Sequence, residues 1–258
     1  MFIWGKKYVY KRLGYVADFC PLCREVRAFE LKRVGLAGHI YYISLTEGEL
    51  AGHEMRCTGC DTEYNAKPEI YARPSKELRT LRELIPLTFP NLATHHAGRL
   101  ALEKAIRDPF AKVSQQDRMA LIREPFNLLS PKAEARYRAS LVDHGSIAAF
   151  FAALIPGSLA AAGLVAILPP DLEPAIWVGL LIASTVVAWI WSLYSRSRFI
   201  DKGILPPLIR ALHPLKPTIG EITAVLKDMK ALGLRIGNKL KPERVMAGLK
   251  SYVPAKTA

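Results

Sequence analysis

The stretch DFCPLCREV, residues 18–26, sets Cys20 and Cys23 on either side of two residues, and RCTGCDT, residues 56–62, repeats the spacing with Cys57 and Cys60. These are all the cysteines of the 258-residue chain. A C-x-x-C pair on a tight turn aims both sulfurs at one point, so two such pairs supply four thiolates to one tetrahedral ion. The chemistry open to the four thiols is structural zinc, another thiolate-bound metal such as iron, or dithiol redox exchange. Structural disulfides would require an oxidising compartment. Redox sites of the thioredoxin kind open a helix after a strand. Here the residues after Cys23 have strand composition, and a redox pair would leave Cys57 and Cys60 without a role. A metal is therefore the reading that uses all four, with zinc first and iron the alternative. His39 and His53 fall in the same region and are alternative ligand types, made unnecessary by four sulfurs.

The 33 residues between the pairs, Arg24–Arg56, read as β structure. VRAFELKR (26–33) and HIYYISL (39–45) are rich in β-branched and aromatic residues, TEGE (46–49) offers a turn, and LAGHEMR (50–56) leads into the second pair. Over roughly Tyr8–Tyr64 this resembles the zinc-ribbon families, in which knuckles at the tips of β-hairpins clamp the metal. The resemblance implies Cys20, Cys23, Cys57 and Cys60 as ligands of a structural Zn²⁺. Pro21 suits the C-P-x-C form of such knuckles. Arg24 and Asp61 depart from it, standing where glycine frequently follows the second cysteine of a pair.

Downstream the composition changes. No charged residue occurs from Gly145 to Pro170, and none from Pro174 to Ser195. Both runs reach the ~18 apolar residues of a membrane span, which predicts transmembrane helices over 146–168 and 175–194. Trp177 near one end of the second run, with Trp189, Trp191 and Tyr194 at the other, suits rings at headgroup level. Lys132, Arg136 and Arg138 precede the pair and Arg196, Arg198 and Lys202 follow it, whereas the connector PPDLEP carries Asp171 and Glu173 with no cation. The positive-inside rule then places both termini in the cytoplasm, where thiols stay reduced. MFIWGKKYVYKR has no apolar core of a cleaved signal, so insertion is expected to rely on the internal helices. Within the spans the polar residues are Ser158, Ser184 and Thr185, which offer no ion or proton path. Ala149, Ala153, Gly157 and Ala161 recur every four residues, as do Gly179 and Ala183. Such stripes serve packing of the two helices on each other or a contact between copies. Pro156 is expected to kink the first helix.

Between ribbon and spans, Asn91 suggests a cap for a helix through Arg107, Ser114 with Asp117 a capping box, and Ser130-Pro131 a third helix start. The adjacent His95 and His96 are expected to point apart on a helix, in exposed or capping roles. After the spans, prolines 206, 207, 214 and 217 suggest a stiff connection. Thr218 with Glu221 forms a capping box, Ile219, Ile222, Val225, Met229 and Leu232 an apolar stripe, and Gly233 a stop, with another helix near Pro242. The chain carries a formal charge of +13, and residues 196–258 hold thirteen Lys or Arg against four Asp or Glu. Basic segments beside a membrane attract anionic headgroups. Nucleic acid is the sharper alternative, since Lys6, Lys7, Lys11 and Arg12 interleave with Tyr8, Tyr10 and Tyr15 as in single-strand binders. No phosphate loop, nucleophile elbow or H-E-x-x-H helix occurs.

The sequence thus predicts an α+β multidomain integral membrane protein. Its parts are a β-rich zinc ribbon (1–73), a cytoplasmic helical connector (74–143), a two-helix transmembrane hairpin (144–196) and a basic helical unit (197–258). The expected role is non-enzymatic: a membrane-anchored interaction or scaffold module with a protein partner. A membrane-tethered nucleic-acid-binding regulator is the alternative.

Overall fold

The computed structural model describes residues 4–40, 43–44, 46–108, 113–139, 144–167, 169 and 172–253. The chain folds as two compact units. Residues 1–125 with 210–216 form the first, and residues 126–209 with 217–258 the second.

The first unit is built on an antiparallel sheet of order β1-β2-β4-β5, with β3 paired to β2. The strands are β1 (Trp4–Cys20), β2 (Glu25–Ile40), β3 (Ile43–Ser44), β4 (Glu49–Cys57) and β5 (Glu63–Asn65). β1 and β2 pair from Trp4↔Ile40 to Cys20↔Glu25. The resulting hairpin reverses at the first cysteine pair. Along Gly5–Tyr10 exposure alternates with every residue, and it gives way to continuous burial from Val16 to Cys20. The hairpin therefore has a solvated end and an end packed on both faces. Gly14, at φ +148°, makes the change: a Cβ there would meet the Ser75 carbonyl oxygen at 2.5 Å. That close approach lets Tyr15 and Ser75 exchange both backbone hydrogen bonds, at 2.7 and 2.8 Å.

Helices cover the packed end. A 3₁₀ turn at Pro68–Ile70 precedes α1 (Leu81–Thr88), α2 (Leu92–His95) and α3 (Ala97–Arg107). Thr88 Oγ1 accepts the Ala17 N–H at 3.0 Å and so fixes α1 on β1. Leu22, Phe29, Leu31, Leu84, Phe89 and Leu92 form the core with Leu212 and Leu215. The expected single helix 91–107 is split at His96, and Asn91 stands at the N-cap of α2 with no side-chain cap bond. α4 (Gln115–Arg138) starts as expected, with Ser114 Oγ accepting the Asp117 N–H at 3.0 Å. No third helix starts at Ser130-Pro131: α4 runs through it. Burial of Phe126, Leu129 and Ala133 outweighs the backbone bond that Pro131 removes.

The second unit contains α5 (His144–Val165) and α6 (Glu173–Leu193). α6 is long and apolar enough to cross a membrane, and the apolar run of α5, Ile147–Gly163, is shorter. Leu168, Pro170 and Asp171 of the expected hairpin lie outside the described residues. α5 packs on α6 through the small-residue stripe, where a Cβ on Gly157 would strike Leu180 Cδ1 at 2.3 Å. Gly179 and Ala183 lie instead on the exposed side of α6, which packs through Leu180 and the buried Ser184. Leu159, Ile182 and Trp189 are each more than half exposed. Side chains of this kind on a packed helix pair are suited to a lipid surround.

Beyond α6 the chain stays helical through α7 (Ser195–Phe199), a π turn at Ile200–Ile204 and α8 (Leu205–Leu212). Pro206 and Pro207 thus stand in the first turn of a helix rather than in an extended connection. The wide turn before them accommodates rings that would press on the preceding carbonyls. A 3₁₀ turn, His213–Leu215, leads to α9 (Ile219–Ala231), α10 (Arg235–Lys239) and α11 (Pro242–Ser251). Ile222, Val225 and Met229 of α9 are buried with Ile236 and Val245. The Thr218–Glu221 capping box is present in both directions, and Gly233 ends the turn at φ +74°. Replacing Thr218 by Ala is expected to cost about 1 kcal/mol, read as faster amide exchange in the first turn of α9.

Candidate metal centre

Each cysteine pair occupies a hairpin tip. Cys20 ends β1 and Cys57 ends β4, and the chain reverses over Pro21–Arg24 and Thr58–Asp61 before β2 and β5. Both reversals close with the same bond: Arg24 N–H to the Cys20 carbonyl at 2.7 Å, and Asp61 N–H to the Cys57 carbonyl at 2.9 Å. Both also place the residue after the second cysteine in the left-handed region, with φ +59° at Arg24 and +60° at Asp61. This is why glycine is frequent there, and it turns the missing glycines into a question about what the two side chains contribute.

The four sulfurs lie within 4.8 Å of one another. Cys20 Sγ is 3.6 Å from Cys60 Sγ, and Cys23 Sγ is 3.8 Å from Cys57 Sγ. A regular tetrahedron with metal–sulfur bonds of ~2.3 Å has edges of ~3.8 Å, so both contacts match one ion at the centre. They are far longer than a disulfide bond of ~2.05 Å. Cys20 and Cys57 are fully buried. Backbone N–H groups of Cys23 and Gly59 point at Cys20 Sγ and Cys57 Sγ, each at 3.4 Å, the outer hydrogen bonds that favour thiolate over thiol. The four cysteines form a cluster able to hold a metal ion.

Proximity divides the protons unequally when no ion is bound. Cys57 and Cys60 are pushed below the ordinary thiol range, first by the hydrogen bond from Cys20, while contacts with the other sulfurs and burial push Cys20 up. Metal uptake must expel the protons that remain, so affinity falls as pH falls. Tyr64 closes one side, with its hydroxyl 3.5 Å from Cys20 Sγ. Burial and the neighbouring sulfurs hold that phenol protonated, as a donor toward the cluster. Neither histidine of the sheet joins the group: His53 precedes Cys57 by four strand residues, about 14 Å along β4, and His39 lies beside Gly5.

Two polar networks surround the centre. Arg24, 2% exposed, sends Nε to Glu103 Oε2 at 2.8 Å and Nη1 to the Ala211 carbonyl at 3.1 Å. Glu103 also receives Arg99 at 3.0 Å, and Arg99 makes a bidentate contact with Glu124 at 2.5 and 3.0 Å. From the second knuckle, the Gly59 carbonyl accepts Arg210 Nη1 at 2.6 Å. Both cysteine turns are therefore tied to Arg210-Ala211. The second network is Asp18, 4% exposed, which accepts the Tyr71 hydroxyl at 2.5 Å and faces His96 Nε2 at 2.8 Å. His95 and His96 do not diverge as expected of helical neighbours. The chain breaks between α2 and α3, and both rings pack on Phe89 with centroids 5.3 and 6.0 Å away. Sequence reasoning missed both networks. The available signals were an arginine in a glycine's place and an aspartate two residues before the first cysteine of a pair.

Compared with known families, curated proteins and solved structures, the chain has no match. Its class therefore rests on geometry: a mixed α/β protein with a ribbon-like cysteine cluster on an antiparallel sheet and one helix suited to cross a membrane.

Proposed function

We propose that the protein is a membrane-anchored, non-enzymatic interaction module whose cysteine cluster holds a structural Zn²⁺. The observation that carries this reading is the donor set: four sulfurs at tetrahedral spacing fill every position of a zinc ion. Such a site has no open position for water or substrate, so its contribution is to fix the hairpin tips. A tetrahedral all-sulfur set takes zinc or iron. Zinc is the reading because the site is of the closed structural ribbon kind, and elemental analysis of the purified protein decides between the two. The exposed sheet end and the basic C-terminal helices are the surfaces left to meet a protein partner or anionic headgroups. A contact between copies is the use left to the outward Gly179 and Ala183.

In this reading α5 and α6 both cross the bilayer, with the termini in the cytoplasm. Supporting it are the packing of α5 on α6, the exposed apolar side chains along both, and the aromatic residues at the end of α6. Leu172→Cys is expected to react with an impermeant maleimide added to intact cells, and Lys250→Cys only after permeabilisation. Equal labelling of both would refute the two-span arrangement. The role itself is tested by capture of the full chain in mild detergent with and without nuclease. A defined protein partner that survives nuclease supports the scaffold reading. Partners lost with nuclease favour the nucleic-acid reading, for which the exposed Tyr8 and Tyr10 beside Lys6 and Arg12 are the specific support.

A further inference from the structure

One turn beyond the last residue of α6, the second unit has a half-open cavity of about 450 Å³ lined by Tyr137, Leu193, Arg196, Ile200, Lys239 and Arg244. That volume lies within the ~300–1,000 Å³ range of small-ligand sites. The lining carries three cations. Among the described residues Asp201 pairs with Arg244 at 2.5 Å, and Arg196 and Lys239 keep the lining positive.

Arg196 is held in place before any ligand arrives. Its Nη2 donates to the Tyr137 carbonyl at 2.9 Å, and its guanidinium sits 5.1 Å from the Tyr137 ring centroid. Arg235 approaches the same ring at 5.9 Å. Arg235 does not line the cavity, and its backbone N–H donates to Glu134 Oε1 at 2.6 Å. A fixed guanidinium beside a second arginine and a lysine offers several donors at once, which suits the three acceptor oxygens of a phosphoryl group.

The position narrows the source. Arg196 lies three residues past Leu193, about 4.5 Å along the helix axis. Trp189, Trp191 and Tyr194 on the same stretch are exposed, as side chains at headgroup depth are. Leu193 and Ile200 give the cavity an apolar side next to its cations, which suits a headgroup whose acyl chains lie in the bilayer. We propose that this cavity binds a phosphoryl group presented by an anionic lipid headgroup or by a soluble phosphate compound. The lipid source rests on the reading of α6 as a membrane span. The phosphoryl chemistry does not.

The test uses the full chain in non-ionic detergent, titrated calorimetrically with dihexanoyl phosphatidylglycerol and, separately, with inorganic phosphate. Saturable binding at one site per chain is expected. Lys239→Gln, at an exposed position outside the helix core, should weaken it roughly tenfold, Lys239→Arg should restore it, and Lys227→Gln on the exposed side of α9 should leave it unchanged. Saturation by the lipid alone assigns a headgroup site, and equal saturation by inorganic phosphate assigns a soluble source. Binding that is absent, indifferent to Lys239→Gln, or displaced by a short oligonucleotide at equal affinity overturns the proposal. Labelling at Leu172→Cys separates the two readings: lost binding with the expected labelling sinks the cavity alone, and retained binding with failed labelling sinks the span alone.

Discussion

Cys57→Ser will take the purified protein from about one metal ion per chain to none and unfold the packed end of the sheet. A structural zinc site contributes an apparent ~10–16 kcal/mol at neutral pH, comparable with or larger than the ~5–15 kcal/mol net stability of a whole domain. Cys57 is a hinge of this site in two senses. Its Sγ is a proposed ligand 3.8 Å from Cys23 Sγ, and its backbone accepts Asp61 N–H and donates to the Thr62 carbonyl at 3.0 Å. Serine keeps the backbone and offers a hydroxyl that does not ionise near neutral pH, so three thiolates are left around a weakened ion. Metal content by elemental analysis and amide exchange across β1, β2 and β4 check the result. Exchange should rise by orders of magnitude at Val16–Phe29 and change little along α5 and α6, whose backbone bonds are satisfied within each helix. Retention of a full ion with unchanged exchange at Val16–Phe29 would mean that these four sulfurs are not the metal site.

The site was legible in the sequence for a simple reason. Two C-x-x-C pairs bounded by strand-forming residues leave few geometries other than two hairpin tips facing each other, and the local chemistry of Cys20–Cys23 and Cys57–Cys60 is the same wherever the rest of the chain goes. The Ser114 side-chain cap and the Thr218 capping box were legible on the same ground, because the partners lie three residues apart. What the sequence did not reveal depends on contacts between distant segments. Ser130-Pro131 reads as a helix start, yet Phe126, Leu129 and Ala133 place a continuous apolar face across it, and their burial decides. Gly179 and Ala183 match the small-residue spacing of Gly157, but only one face of α6 can meet α5, and that face carries Leu180 and Ser184. His96 reads as an exposed helical neighbour of His95 until Asp18, 78 residues earlier in the chain, is brought to 2.8 Å.

The two knuckle residues that replace glycine give the sharpest energetic contrast, because they share a backbone conformation and differ in everything their side chains do. A left-handed conformation costs an ordinary L residue ~1–2 kcal/mol, so glycine at either position removes that strain. Asp61 uses its carboxylate in an exposed ion pair with Arg56, and exposed pairs contribute ~0–1 kcal/mol. Asp61→Gly should therefore leave the unit as stable as the parent protein or up to about 2 kcal/mol more stable. Arg24→Gly removes the same strain but takes a guanidinium away from Glu103, which is 4% exposed, and from the Ala211 carbonyl. Breaking a buried pair by removing one partner costs ~3–5 kcal/mol, so after strain relief a net loss of about 1–4 kcal/mol is expected. Arg99 still reaches Glu103 at 3.0 Å, which places the loss toward the lower end. The measurement is the free energy of opening from amide exchange at Phe29 and Leu31, in the core beside the knuckle. Adding Glu103→Gln to Arg24→Gly should recover part of the loss, since the stranded charge is gone, giving a non-additive cycle. If Arg24→Gly proves as mild as Asp61→Gly, the buried arginine is not what compensates the strained turn at the first cysteine pair.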